Sequence, residues 1–445
     1  MNMMNVLERD GVTDMDRPVK QHSKRIWSEM LSVLLVLPFL ISCAGEPQPR
    51  EIIPETPPVI EVSAPEIIPE PAPEVIVDET PELPEETVEI LEPEPPEEAV
   101  PDYREELKEG FYKPVGPNEL VRYLAEEILE GKLTVDIEGL KERFPLYDLT
   151  SSELVDAALD AASQNPQISL LLYPSLLTWE KTIGYHSYKS ETELVERRKA
   201  LEEKVIDLLA GIDLSTLSDY DKSLLVHDLV IENTAYDYEV FDLILENDEW
   251  TQESWNRMQE AGNAYGALIL GKAVCGGYAQ AYALLAKAVG LEVYYVEGMV
   301  EYGSEEIIHA WNRVKIEDEW LVVDTTWDDI ETPNRYMWLN QPTSIAYTHR
   351  EEFRDYIKTL ENELVGVSPE HTWFFRNDFY ATKETVMTVL GRHIESGKTS
   401  FDILTGPLTN REVEGIMKEF RTLYDDEVHM IYYEDKMIRY VRINE

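Results

Sequence analysis

The sequence predicts an α+β fold around an antiparallel sheet, and three observations predict it. A glycine-punctuated stretch, Gly271-Lys272-Ala273-Val274-Cys275-Gly276-Gly277-Tyr278, opens an apolar helix that runs to a stop at Gly290. Two apolar segments, 307–314 and 320–327, flank Glu317-Asp318-Glu319 and read as a hairpin. The order helix, strand, helix, strand, strand occurs on both sides of that central stretch, as two small α/β modules.

The N-terminus reads as an address rather than a fold. Lys20, Lys24 and Arg25 precede an apolar run over 30–41, the charged-then-apolar order of a secretory signal and too short to span a bilayer. The run closes with Leu40-Ile41-Ser42-Cys43-Ala44, which resembles the bacterial lipobox, whose cysteine is lipidated after cleavage. Residues 1–43 are therefore expected to be a signal peptide, with the mature chain extracytoplasmic and held to the membrane by lipid on Cys43. Glu8, Asp10, Asp14 and Asp16 are unusual before such a run, and a start at a later methionine would remove them.

Residues 44–105 form a stalk. Between residues 46 and 103 lie 15 of the 26 prolines, and Arg50 is the sole basic residue. Such a segment repels itself and favours extended conformations, so burial cannot offset its ordering entropy. For the whole chain, 88 acidic against 39 basic residues give a net charge of -49, which argues against nucleic acid or an anionic surface held by charge. A hydrophobic content of 43% is enough for a sizeable core beyond the stalk. The cysteines are two, and Cys43 belongs to the export signal, so Cys275 is a thiol without an intramolecular partner.

The first α/β module is placed at 106–198. Leu120, Leu124 and Ile128 mark a helix, Gly131-Lys132 a stop, and 133–137 a strand. Thr150-Ser151-Ser152-Glu153 reads as a capping box for a second helix, and strands follow at 168–173 and near 179–185. The second module, 356–445, has helices at 384–394 and 409–420 and strands at 399–403, 428–433 and 437–443. At a constant offset of 266, Ile128, Gly131, Lys132, Asp136 and Ile137 recur as Ile394, Gly397, Lys398, Asp402 and Ile403. A shared packing plan explains this; chance similarity of amphipathic helices is the alternative.

Between the modules, 199–355 carries the chemistry. A helix over 221–233 presents Leu224, Leu225, Leu229 and Val230. The helix opened by Cys275 places Tyr278, Ala281, Tyr282, Leu285, Ala286 and Val289 on one side. Backbone amides and the helix dipole at a first turn favour a thiolate and lower a cysteine from its free value of about 8.5. A buried, inert thiol is the competing reading. A strand over 291–296 leads to the hairpin. With a two-residue turn at Glu317-Asp318, position 309 pairs with 326, and Asp324 becomes a diagonal neighbour of His309 on one face. A three-residue turn would separate them. Each of the two also fits an ordinary strand or turn role, but together they follow the order nucleophile, imidazole, carboxylate.

That order completes a resemblance. Residues 222–237, Ala264-Tyr265-Gly266-Ala267-Leu268, Val274-Cys275-Gly276-Gly277-Tyr278-Ala279, His309-Ala310-Trp311-Asn312 and Val323-Asp324-Thr325-Thr326-Trp327-Asp328 resemble the bacterial branch of the transglutaminase-like superfamily. Tyr336-Met337-Trp338-Leu339 and His349 extend the likeness over about 200–350. It implies a papain-like core with catalytic Cys275, His309 and Asp324: a nucleophile attacking a carboxamide, an imidazole that pairs with the thiolate and protonates the departing amine, and a carboxylate that fixes the tautomer. The Cys275 amide is the implied oxyanion donor, and Trp311 and Trp327 either wall the cleft or pack the core. Gly276 departs from the larger polar residue often present in relatives, which would widen or loosen the cleft floor.

The triad leaves the acyl acceptor open, so transglutaminase and cysteine protease or amidase stand together. The alternative from another class is a non-catalytic surface binding or scaffold protein with an inherited core. No HExxH or CxxC spacing occurs, so metal and cofactor are not expected. The expected partners are a protein or peptide substrate, cell-wall or surface proteins among the candidates, and the membrane through Cys43.

Overall fold

The computed structural model describes residues 102–130, 132, 134–145, 151–168, 173–177, 182–186, 189–246, 251–302, 305–330, 335–343, 349–351, 365–406, 408–424, 428–433 and 437–442. The signal, the lipobox, the stalk up to residue 101 and the proposed cap residue Thr150 lie outside them.

The structure is organised around the helix Cys275–Ala288, hereafter the cysteine helix. Every residue from Gly277 to Ala288 is buried, including Gln280 and Lys287. A one-sided helix was the expectation. The difference arises because the sheet covers one side and the helices Arg104–Tyr112, Asp219–Asn233 and Ala264–Leu268 cover the others. Alanines at 279, 281, 283, 286 and 288 let these neighbours approach closely. The chain leaves the helix through Gly290, whose φ of +86° suits a residue without a side chain.

The sheet is antiparallel throughout, in the order Glu319–Val323, Glu305–Ile316, Val293–Tyr302, His349–Glu351. The hairpin closes at Ile316↔Glu319, so its turn has two residues, and Glu317 takes the positive φ of 55° that such turns require. Two sequence expectations change here. The strand expected over 291–296 runs over Val293–Tyr302, because the long partner Glu305–Ile316 continues its ladder. Pairing beyond the turn stops at Asn312↔Val323, and 325–330 is a short helix instead of strand.

The helix Arg104–Tyr112 was not foreseen, since its glutamates merge with the acidic stalk and the expected boundary at 105 falls inside it. Its buried Leu107 and Phe111 belong to the main core. A methyl group on Gly110 would sit 2.8 Å from the Lys287 carbonyl oxygen, which shows how closely this helix lies on the cysteine helix. The segment after Ser151–Ser163 docks beside it. Gln164 exchanges two hydrogen bonds with the Tyr295 backbone, at 2.7 and 2.9 Å. Lys287 reaches Asn165 and Gln167 at 3.3 Å each, and burial lowers its pKa to about 7.

The flanking segments share a strand order. In the first, Thr134–Asp136 and Tyr173–Leu177 both pair antiparallel with Thr182–His186. In the second, Ser400–Thr405 and Val428–Tyr433 both pair antiparallel with Met437–Arg442, and Tyr380–Ala381 adds a parallel edge. The offset of 266 relates the helix ends Leu129 and Glu395 and the strand starts Thr134 and Ser400. It then lapses, because the helix Ile137–Arg143 intervenes in the first segment alone. Asp136 caps that helix through the Gly139 amide at 2.6 Å, whereas Asp402 forms a two-pronged pair with Arg439 at 2.7 and 2.9 Å. Of the strand expected over 168–173, residues 169–172 lie outside the described residues, Ile168 belongs to a turn closed by Asn165, and Tyr173 opens the strand Tyr173–Leu177; the strand expected near 179–185 lies outside them up to residue 181 and is described as Thr182–His186.

Close packing around the cysteine helix generates a paired prediction. A Cβ on Gly277 would lie 2.5 Å from the Ala261 carbonyl oxygen and 2.6 Å from Ala273 Cβ, while one on Gly415 in the helix Asn410–Leu423 would meet nothing. Gly277→Ala is expected to destabilise by about 1–3 kcal/mol through overpacking. Gly415→Ala is expected to stabilise by about 0.5–1 kcal/mol through helix propensity. Chemical denaturation of both variants checks this; equal effects would contradict it.

Candidate active site

Cys275 is the first residue of its helix, with Val274 as the N-cap. Val274 is tied to the Ala261 carbonyl at 3.0 Å, and the short parallel pair of Ala235–Tyr236 with Lys272–Ala273 fixes the approach to the helix. The thiol is free and half-buried and packs beside Ala279, Tyr295 and Ala310. At Gly276 the expectation of a widened floor does not hold: a Cβ there would be 3.0 Å from the Gly262 carbonyl oxygen, so backbone already fills that side.

Asn312 joins helix to sheet. Its side-chain amide donates to the Ala279 carbonyl at 3.0 Å, so positions 312 and 310 face the cysteine helix. By alternation His309 shares the other side with Trp311. Pairing with the strand Glu319–Val323 ends at Asn312↔Val323, three residues from His309, and the Cys275 thiol acts on the His309 imidazole by helping to raise its pKa.

Asp324 follows the last paired residue. Its Oδ1 accepts the amides of Thr326 at 3.0 Å and Trp327 at 3.1 Å, capping the helix Thr325–Ile330. Its Oδ2 is 2.6 Å from His309 Nε2, which leaves Nδ1 as the nitrogen available to sulfur. The same Oδ2 is 3.0 Å from His349 Nε2. His309, Asp324 and His349 are all buried.

The electrostatics follow. Burial by itself would lower the His309 pKa, but the Asp324 carboxylate, with a smaller contribution from Cys275, raises it to about 10. Burial would raise Asp324, and His309 and His349 hold it well below the usual carboxylate range. His349 is lowered, by burial first and further by the charge of His309, despite its bond to Asp324. The arrangement is an imidazolium and a neutral imidazole donating to one carboxylate oxygen. Such a trio also contains metal-ligand types, all within 4.8 Å. A zinc-type ion needs about 2.0–2.2 Å to each donor, and donor atoms 2.6 Å apart fit a hydrogen bond instead.

Indoles line the trio. Trp327 stacks on His309 with centroids 5.3 Å apart, and Trp311, Trp327 and Trp338 surround the His349 ring at 4.9, 4.7 and 4.4 Å. Trp311 is fully buried core, whereas Trp327 is partly exposed.

The short helix that Asp324 caps is pinned twice more. Asp328, one turn on, accepts the Trp338 amide and lies 3.0 Å from His227 Nε2, whose Nδ1 meets Asp228 at 3.1 Å. Burial works against charge on His227, and the two carboxylates raise its pKa nonetheless. Asp329 accepts from the Tyr278 hydroxyl at 2.5 Å, tying this helix to the cysteine helix. The three residues singled out by sequence are thus brought together, and the supporting roles of His349, His227, Asp328 and Asn312 were missed. A carboxylate spaced four from Asp324 was the available signal for Asp328. A single histidine on the 219–233 helix gave none.

Residues 207–325 match the family model described as the transglutaminase-like superfamily. No curated protein matches the chain. Among solved structures, one described as a TGase is similar at 21% identity and a TM-score of 0.26, over 33% of this chain and 35% of that one. A cysteine protease candidate from Cytophaga hutchinsonii is similar at 16% identity and a TM-score of 0.20, over 29% of this chain and 37% of that one. The chain therefore spans little more than a third of either. The matched segment, which contains Cys275, His309 and Asp324, is similar to a transglutaminase-like core.

Proposed function

We propose that this chain is an exported, lipid-anchored cysteine enzyme that acts on carboxamide or peptide bonds, with Cys275, His309 and Asp324 as its catalytic residues. The observation that carries the proposal is the 2.6 Å contact of His309 Nε2 with the buried Asp324 carboxylate, supported by the influence of the Cys275 thiol on the same imidazole.

In this reading the Cys275 thiolate attacks the substrate carbonyl carbon, and the carbonyl π electrons move to oxygen. The helix's first amide, that of Cys275, faces the developing oxyanion. His309, as imidazolium, gives its proton to the departing nitrogen while the C–N bond breaks, leaving a thioester on sulfur and free ammonia or amine. Neutral His309 then takes a proton from an incoming amine or water as that nucleophile attacks the thioester, and the thiolate leaves to restore the ion pair. Asp324 stabilises the imidazolium at each stage, and His349 and the capping amides keep that carboxylate ionised and oriented. Transfer to an amine and hydrolysis share all of these steps.

The setting is proposed from sequence: a lipid on Cys43 anchors the chain outside the cytoplasm, residues 44–105 space the folded part from the membrane, and 106–198, 199–355 and 356–445 are its three folded regions. Protein or peptide substrates at the wall or cell surface suit that position. Expressed in a bacterium supplied with an alkyne fatty acid, the full chain is expected to take up the lipid tag and Cys43→Ala to lose it; equal tagging would overturn the anchor.

For the chemistry, ammonia release from glutamine peptides and incorporation of a fluorescent amine are the readouts. Cys275→Ala is expected to abolish both, and Asp324→Asn to lower kcat/KM by about a thousandfold or more with the fold retained. Iodoacetamide below neutral pH is expected to label Cys275 faster in the folded protein than in a denatured control. Labelling no faster than the control, together with unchanged turnover in Cys275→Ala, would overturn the proposal.

A further inference from the structure

Glu297 lies on the strand Val293–Tyr302, outside the proposed triad, and its place relative to Cys275 follows from the fold. Asn312, whose side chain bonds the Ala279 carbonyl, pairs with Tyr295, so Ala279 is level with Tyr295. Cys275 is four residues earlier in its helix, about 6 Å at 1.5 Å per residue. On a strand rising about 3.3 Å per residue this is two positions. The helix leads by a short turn into the strand and packs on it, so the two run in opposite directions, and two positions on from Tyr295 is Glu297. Alternation puts Tyr295, Glu297 and Met299 on the helix-facing side, with Ala310 and Ile308 beside the latter two on the neighbouring strand.

The helix ends at that level. Tyr295 beneath it is buried, whereas Glu297 is exposed and Met299 and Ile308 are half-buried, so the sheet surface becomes accessible where the sulfur sits. The Glu297 carboxylate is held by the Tyr295 hydroxyl at 2.7 Å and has no cationic partner among the described residues. A carboxylate at the end of a methionine–isoleucine floor is complementary to an aliphatic stem with a positive tip.

Resting on the reading of Cys275 as a nucleophile, we infer that Glu297, oriented by Tyr295, selects acyl-donor chains that carry a lysine or arginine side chain close to the reacting carboxamide. The donor side is favoured over the amine acceptor for a chemical reason. An acceptor must attack as a neutral amine, and a carboxylate bound to its ammonium would hold the proton in place; a spectator cation has no such conflict.

The test uses the full chain and follows the Cys275 peptide by mass spectrometry. Methanethiosulfonates with a cationic or a neutral head are compared on the same thiol. The cationic-to-neutral rate ratio is expected to fall about threefold in Glu297→Gln and further in Glu297→Lys, the size expected for one charge several ångströms away near a wet surface. A glutamine peptide with an adjacent lysine is expected to slow iodoacetamide labelling in the native protein and at least threefold less effectively in Glu297→Gln. An unchanged ratio, or protection by cadaverine with none by the lysine peptide, would overturn the inference. The ratio is readable even if Cys275 reacts slowly with every reagent, so failure of the nucleophile reading and failure of this one are told apart.

Discussion

A carboxylate taken out of water is costly unless opposite charge and hydrogen bonds replace its hydration, and Asp324 is fully enclosed. Two backbone amides at one oxygen and two imidazoles at the other supply the replacement. The rest of the site is arranged around keeping those four donors in place. The short helix exists so that its amides converge on Oδ1. The three indoles around His349 keep water away from that ring and so keep it neutral, a donor rather than a second positive charge.

The same carboxylate explains how distant parts of the fold enter the chemistry. The helix it caps is pinned by His227 through Asp328 and by Tyr278 through Asp329. His227 begins a run of ring contacts to Tyr336 at 5.5 Å, Trp373 at 5.0 Å, Phe379 at 5.6 Å and His393 at 4.1 Å, which reaches the last helix–strand segment. On the opposite flank, Gln164 and Lys287 lock the first segment to the strand and helix that bring Tyr295 and Cys275 to the site. Both flanking segments thus bear on elements that carry the proposed catalytic residues or the groups that hold them.

What could be read from sequence followed from local periodicity and turn chemistry. The helix start at Cys275, its end at Gly290 and the two-residue turn at Glu317-Asp318 all follow from glycines, apolar spacing and a tight polar turn, but the expected 309↔326 strand pair does not form, and Asp324 meets His309 from just beyond the last paired residue, Val323. The strand end at Val323 was not legible, because it depends on where a carboxylate finds two amides. Nor was the burial of the cysteine helix on all sides, since its alanines give no periodic signal and Lys287 and Gln280 look like a solvent face. His227 and His349 acquire their meaning from partners 101 and 25 residues away. The helix Arg104–Tyr112 was hidden by a composition shared with the stalk.

The central claim is that Asp324 holds His309 as an imidazolium far above the ordinary histidine range. A group raised in this way adds stability in full below its unfolded value of about 6.5, and loses that contribution as pH rises through about 10. Titration of the His309 ring nitrogens by 15N NMR, in the native chain and in Asp324→Asn, measures this directly. The account predicts a native ring that stays doubly protonated through pH 8 and a variant whose ring titrates at markedly lower pH. A native His309 that loses its proton near 6.5, unaffected by the substitution, would contradict it.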